Sequence, residues 1–334
     1  MQDKPPSADR TGTAHSLTDL GWSAHFAEQQ DAAAGLLPMR IISVQRAMAT
    51  GLDAQGEHVL GFPPELRAGG LAVGDWVLVD PDTGRIAKVL DRLSLLSRRA
   101  AGIEAKPQLL AANVDTLFIT TSCNADFNPA RLERYLVLAL DAGIAPVIVL
   151  TKTDQAEAPE DFVAQARALS DKLAGVIALN AKDPAQVARL SEWCGPGRTV
   201  AFVGSSGVGK STLINALTGS LQATAEMRQD DAKGRHTTTA RSLHLMAGGG
   251  LVIDMPGMRE LGLHDVAGGI AELFEDITLL TTECKFRDCK HMAEPGCAVQ
   301  AAVAAGQLDP ARLDRWRKLK SEDRLNTTSM TVSR

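Results

Sequence analysis

Gly204-Ser205-Ser206-Gly207-Val208-Gly209-Lys210-Ser211-Thr212 is the stretch that decides how this chain folds. It satisfies G-x-x-x-x-G-K-[ST], a loop whose backbone N–H groups cradle phosphate oxygens. The apolar run Val200-Ala201-Phe202-Val203 before it predicts a buried strand. Leu213-Ile214-Asn215-Ala216-Leu217 after it predicts the first turns of a helix. That setting is what the loop requires, because the start of a helix adds partial positive charge to the converging N–H groups. Lys210 is expected to reach the β- and γ-phosphates, and the Ser211 hydroxyl to ligate Mg²⁺.

Downstream, Leu251-Val252-Ile253-Asp254-Met255-Pro256-Gly257 reads as a strand ending in an acid and a turn. So placed, Asp254 is expected to hold Mg²⁺ through water, and Gly257 to offer its N–H to the γ-phosphate. Between loop and acid lies Gly234-Arg235-His236-Thr237-Thr238-Thr239. Its hydroxyls suit Mg²⁺ or the γ-phosphate, with Thr238 the expected contact; the competing reading is the β-prone start of a strand over 242–246. A glutamine that orients the attacking water is common just after D-x-x-G, but Met258 stands there. A thioether orients water poorly, so His236 is the expected catalytic residue; the alternative is a solvent-facing histidine.

Upstream of the loop, Val147-Ile148-Val149-Leu150 runs into Thr151-Lys152-Thr153-Asp154. A carboxylate at Asp154 can accept from the N1 and N2 donors of guanine, a pair that adenine does not offer. The Lys152 stem can lie over the base. Asn180-Ala181, after the run Val176–Leu179, is expected to support the guanine carbonyl through backbone N–H groups. In ordinary GTPases the [NT]-K-x-D element follows the phosphate loop; here it precedes it.

Cys284-x4-Cys289-x-His291-x5-Cys297 gathers three thiols and an imidazole. These suit a tetrahedral structural Zn²⁺ with no open position for chemistry. Disulfides are the alternative, but three cysteines cannot pair among themselves; Cys123 and Cys194 lie outside the cluster.

At 334 residues and 45% hydrophobic content the chain can hold two or three domains around substantial cores. Its net charge of −5 argues against indiscriminate nucleic-acid binding but allows a local basic face. No run long enough to cross a membrane occurs, and the N-terminal residues do not read as a signal peptide, so a cytoplasmic protein is expected. Short strands are expected at Arg40–Gln45, His58–Gly61, Asp75–Asp80 and Arg85–Leu90, with a turn at Asp82-Thr83-Gly84. Such strings suit an OB or an SH3-like barrel equally well. A short helix is expected over 17–28, another over 129–142, and a basic one near the C-terminus with Leu313, Trp316 and Leu319 on one stripe. Its cations, Arg312 to Arg324, make either a solvated face or an RNA-contacting one.

Together, G-S-S-G-V-G-K-S-T, G-R-H-T-T-T and D-M-P-G, with T-K-T-D upstream and the Cys–His cluster after them, resemble the ribosome small-subunit-dependent GTPase A family. The resemblance covers roughly residues 38–320. It implies an OB-type β-barrel at 38–100 after a partly disordered extension at 1–37. A circularly permuted α/β P-loop GTPase at 101–262 and a small zinc-binding helical module with a basic helix at 263–334 would follow. It also implies GTP hydrolysis in late maturation of the small (30S) ribosomal subunit, stimulated by subunit binding, with 16S rRNA as a partner and one structural zinc ion per chain; a monomer is the default expectation. Thr151 departs from the commoner asparagine, which puts guanine affinity in question but leaves Asp154 to specify the base. The rival reading is a regulatory GTP-binding module signalling to a protein partner.

Overall fold

The computed structural model of the chain describes residues 15–30, 35–99, 107–219, 241–255 and 262–331. His236, Thr238, Gly257 and Met258, and the N-terminal residues 1–14, lie outside the described residues.

Strands β1 (Leu37–Val44), β2 (Met48–Asp53), β3 (Gly56–Gly61), β4 (Trp76–Asp80) and β5 (Arg85–Val89) close a barrel. β1 pairs antiparallel with both β2 and β4, β4 pairs with β5, and β5 closes parallel onto β3. This order, 1-2-3-5-4-1, is that of an OB-type five-stranded Greek-key barrel and decides against the SH3-like alternative. Met39, Ile41, Leu60, Val77, Val79 and Ile86 fill its interior. The strand at Met48–Asp53 escaped the sequence reading. Gly51 interrupts its alternation, and a Cβ there would lie 2.7 Å from Leu60 Cδ1, so a larger residue requires the Leu60 side chain to shift.

A hairpin of β6 (Leu95–Arg99) and β7 (Pro107–Ala112), also unforeseen, leads into the α/β part. There β8 (Thr116–Ser122), β9 (Ala145–Thr151), β10 (Gly175–Ala178), β11 (Thr199–Val203) and β13 (Leu251–Asp254) run parallel, and β12 (Ser242–Leu245) runs antiparallel. Their spatial order is β10-β9-β8-β11-β13-β12. Near-continuous burial of β8, β9 and β11 marks strands covered on both faces.

Helices α1 (Ala24–Ala27), α2 (Pro129–Asp141), α3 (Pro159–Arg167), α4 (Pro184–Val187) and α5 (Lys210–Thr218) precede the cysteine region. α1 is shorter than the expected 17–28 helix, because the chain turns at 17–21; Leu20 and Phe26 are nevertheless fully buried. α2 starts at a proline and is capped by Asn128, whose side chain accepts from Arg131 N. After β13 come α6 (Ala267–Leu273), α7 (Glu275–Thr282), α8 (Ala298–Ala304) and α9 (Pro310–Thr331). α9 buries Leu313, Trp316 and Leu319, the expected stripe. Its cations have intramolecular partners: Arg312 pairs with Asp276, Arg315 with Glu133, Arg317 with Asp314, and Lys320 lies over the Trp316 ring. These contacts account for most of the helix's positive charge as structure.

Barrel and α/β sheet join edge to edge. Ser43 of β1 pairs with Ser242 of β12, so the barrel covers the edge strand. Arg40, only 1% exposed, bolts the junction. Its guanidinium donates to Leu20 O, Asn113 O (3.0 Å) and Thr199 Oγ1 (3.1 Å), and stacks 5.5 Å from the Trp76 ring centroid. Burial lowers its pKa to about 10, which leaves the group charged at neutral pH.

Candidate nucleotide site and metal centre

Gly204 follows β11, where the chain passes so close to β8 that a Cβ would lie 2.1 Å from Thr120 O. With φ at 139°, only glycine fits. The loop then curls through Gly207 and Gly209, both at positive φ, into the N-terminus of α5. Lys210 Nζ donates to Gly204 O (2.8 Å) and Ser205 O (2.6 Å), which sets its ammonium at the rim of the loop. Ser206, Ser211 and Thr212 are exposed at the loop and the first turn of the helix, and Val208 is buried beneath.

The T-K-T-D element meets this loop in space. β9 ends at Thr151, and the Thr151 hydroxyl lies 2.6 Å from Val208 O and 3.1 Å from Thr121 O. A Cβ on Gly209 would touch Thr151 Cγ2 at 3.6 Å and Ala181 Cβ at 3.7 Å. Three segments far apart in sequence therefore converge on one spot. Lys152 adopts φ 57°, ψ 35°, a left-handed conformation that costs a non-glycine residue about 1 kcal/mol. Thr153 and the exposed Asp154 follow in a single 3₁₀ turn. Asn180 Oδ1 accepts from Lys182 N (2.9 Å) and braces the turn that presents the Ala181 backbone.

Asp254 ends β13 opposite Ser242. Burial pushes its carboxyl above the ordinary range, and the positive charges of His244 and Lys210 oppose that shift. A desolvated carboxylate within electrostatic reach of Lys210, and a hydroxyl at the first turn of α5, are oxygen donors of the kind Mg²⁺ takes. The expected site residues His236, Thr238 and Gly257 lie outside the described residues.

The second centre is the cysteine–histidine knuckle. Ligand atoms of Cys284, Cys289, His291 and Cys297 all lie within 4.8 Å of one another, and the group could hold a metal ion. Cys284 Sγ is 3.5 Å from His291 Nδ1 and 3.9 Å from Cys297 Sγ, and Cys297 Sγ is 3.7 Å from His291 Nδ1. A tetrahedron with Zn–S of about 2.3 Å and Zn–N of about 2.0 Å needs donor separations of about 3.5–3.8 Å, so these edges fit zinc. The surroundings are built to hold the donors still. Gln300 Nε2 donates to His291 O at 2.7 Å, Arg317 donates to the same carbonyl, and Trp316 packs against the imidazole at 5.7 Å. Glu294 accepts from the backbone N–H groups of Lys290, Met292 and Ala293, which lowers its pKa to about 2. The sequence reading gave the four donors but not this shell, to which α8 contributes Gln300 and α9 Trp316 and Arg317.

His58 pairs with Asp53, His25 meets Asp91 O, His244 meets Ser242, and His264 is buried.

A family model described as RsgA GTPase matches residues 89–264. A curated relative from Mesorhizobium japonicum, named small ribosomal subunit biogenesis GTPase RsgA, is 56% identical over 95% of this chain and 92% of its own length. One from Vibrio parahaemolyticus, small ribosomal subunit biogenesis GTPase RsgA 2, is 44% identical over 96% and 90%. Among solved structures, YjeQ from Thermotoga maritima aligns with a TM-score of 0.62 at 26% identity, over 85% of this chain and 97% of its own. YloQ, described as a circularly permuted GTPase, aligns with a TM-score of 0.57 at 26% identity, over 86% and 94%.

Proposed function

The chain belongs to the RsgA GTPase family, and from that premise we propose that it hydrolyses GTP to assist late maturation of the small ribosomal subunit, whose binding stimulates turnover. The observation that carries this reading is the meeting of Thr151 with Val208 and of Gly209 with Ala181. It brings the segment that holds Asp154, read here as the guanine-selecting carboxylate, to a phosphate loop that comes later in the chain.

In this reading Asp154 accepts from guanine N1 and N2, Lys152 lies over the base, and Thr151 fastens their loop to the phosphate loop. The N–H groups of the 204–212 loop and Lys210 hold the phosphates. Ser211 and Asp254 hold Mg²⁺, which neutralises charge on the β- and γ-phosphates when bound. Thr238 and Gly257 contribute to the same region, and His236 positions the attacking water. The knuckle holds one structural Zn²⁺ per chain, and its binding free energy adds to the folding free energy of the module.

On this account the chain divides into an extension at 1–37, an OB barrel at 38–100, a GTPase at 101–262 and a zinc module at 263–334. It acts as a monomer in the cytoplasm, and 16S rRNA within the subunit is its partner; no described helix is long and apolar enough to cross a membrane. GTP turnover measured with and without purified small subunits, with ATP in parallel, tests the proposal. Stimulated hydrolysis of GTP alone is expected. Absent stimulation, together with no GTP-dependent cosedimentation, favours a regulatory module that signals to a protein.

A further inference from the structure

The barrel is not closed along its whole height. β3 pairs with β2 from Gly56 to Gly61 but meets β5 only at Gly61, whose N–H donates to Gly84 O at 3.1 Å. Backbone groups alternate in direction along a strand, so the N–H and C=O of Val59 and Glu57 point to the same side as those of Gly61. Among the described residues they meet no backbone partner there. Across from them lies the turn that joins β4 to β5, and between the two is a cleft of about 590 Å³. That volume is in the range of ordinary ligand clefts. The edge from Glu57 to Gly61 is about 13 Å long, room for about four residues of an added strand.

The cleft has walls of two kinds. Leu37, Val59, Val79 and Pro81 are apolar, and Val59 is 70% exposed and Leu37 44%. An apolar side chain left this far in water beside unpaired strand groups marks an edge open to the addition of another strand. Asp53, Glu57 and Asp80 supply carboxylates against the single imidazole of His58, and no lysine or arginine lines the cleft. Asp53 and Asp80 also brace local turns, since Asp53 Oδ1 accepts from Gln55 N (2.8 Å) and Asp80 Oδ1 from Asp82 N (2.9 Å). Glu57 is exposed and stands on the open edge itself. Barrels of this class often take nucleic acid on one face, but three carboxylates repel phosphate and attract cations.

We propose that this cleft docks an extended protein segment rich in lysine or arginine, which adds to the free edge of β3 and places an apolar side chain between β3 and the β4–β5 turn. Main-chain bonds to Glu57 and Val59 fix its register, the apolar side chain covers the exposed wall, and its cations meet Glu57 and Asp80. The charge of the lining selects against an RNA strand, which carries the same sign. None of these residues belongs to the nucleotide site, so the proposal stands or falls apart from the GTPase reading.

The test uses the full chain and short fluorescent peptides, one alternating lysine and valine, one lysine and serine, and one glutamate and valine, with a single-stranded RNA oligomer as the competing probe. Fluorescence anisotropy is expected to show binding of the lysine–valine peptide, weaker binding of the lysine–serine peptide and none of the glutamate–valine peptide. Glu57→Lys, a change at an exposed position, is expected to weaken the lysine–valine peptide roughly 3- to 10-fold. Val59→Ser is expected to weaken that peptide and to leave the lysine–serine peptide unchanged. Residue-resolved amide hydrogen exchange is expected to slow at Glu57 and Val59 when the lysine–valine peptide is bound, and not at His58, whose N–H already faces β2. The proposal is overturned if the lysine–valine peptide does not bind at millimolar concentration, if it binds Glu57→Lys as tightly as the parent, or if its protection falls elsewhere. Displacement of the bound peptide by the RNA oligomer, with Glu57→Lys strengthening the RNA, would assign the cleft to nucleic acid and overturn it equally.

Discussion

Thr151 shows how much a single hydroxyl can hold. In sequence it is a weaker substitute for asparagine at the head of a base-reading element. In space it lies between two backbone carbonyls, of Val208 in the phosphate loop and Thr121 on the neighbouring strand, in a fully buried position. Thr151→Val keeps the shape and removes the hydroxyl, taking the donor from a buried carbonyl, the nearer being Val208 O, at a cost of about 1–3 kcal/mol. Guanine nucleotide affinity is expected to fall with the urea midpoint, and Thr151→Ser is expected to restore both. Thiol chemistry supplies a second residue-scale expectation. Burial pushes the Cys194 thiol up to about 12 and raises Cys123 as well. With metal bound, the folded protein is expected to show no fast-reacting thiol toward a disulfide reagent at pH 7.5. A zinc-selective chelator is expected to release three, those of Cys284, Cys289 and Cys297; rapid reaction of Cys123 or Cys194 would contradict the packing described.

Between elements, the decisive contact is the α2–α9 seam. Arg315 pairs with the fully buried Glu133 at 2.8 Å. Burial raises the Glu133 carboxyl, more than the arginine lowers it. A raised pKa means that the folded state binds the proton more tightly than the unfolded one. The carboxylate therefore costs stability as pH rises from its unfolded pKa through its folded one. Glu133→Gln is accordingly expected to be nearly neutral. Arg315→Met strands a buried charge and is expected to cost about 3–5 kcal/mol at pH 7.5, less near pH 5, as read from urea unfolding. A penalty that does not change with pH would contradict this. No such seam could be read from the sequence, since periodicity reports which face of a helix is apolar but not which distant carboxylate meets its arginine. Local signals fared better. The strand–loop–helix at 199–218, the helix from Pro129 and the stripe on α9 rest on nearest-neighbour chemistry. Met48–Asp53 was missed because Gly51 breaks its alternation, and the Leu60 and Met39 side chains that crowd that position come from the two paired strands.

At the scale of the whole molecule, the order of the strands explains why the motifs could be found but appear shuffled. β9, which carries T-K-T-D, comes before β11, which carries the phosphate loop, yet both lie in one parallel sheet with β8 between them. The four knuckle donors were likewise legible from spacing, whereas the Arg317 and Gln300 contacts that steady them depend on how helices stack. Permutation places the end of the Asp254 strand before the zinc module in the chain, and α9 bonds the backbone of Leu263, Asp265 and Val266 at the start of that module.

The account depends most on Asp154 reading guanine beside a loop that lies after it in sequence. Nucleotide selectivity of Asp154→Asn measures this directly. Guanine presents donors at N1 and N2, while xanthine presents a carbonyl at C2 that an asparagine amide can donate to. Losing charge-assisted bonds of about 1.5–3 kcal/mol, the variant is expected to bind GTP about 10- to 100-fold more weakly than the parent and to favour XTP, with ATP excluded by both. A variant that keeps the parent's GTP affinity and its preference for GTP over XTP would contradict the account.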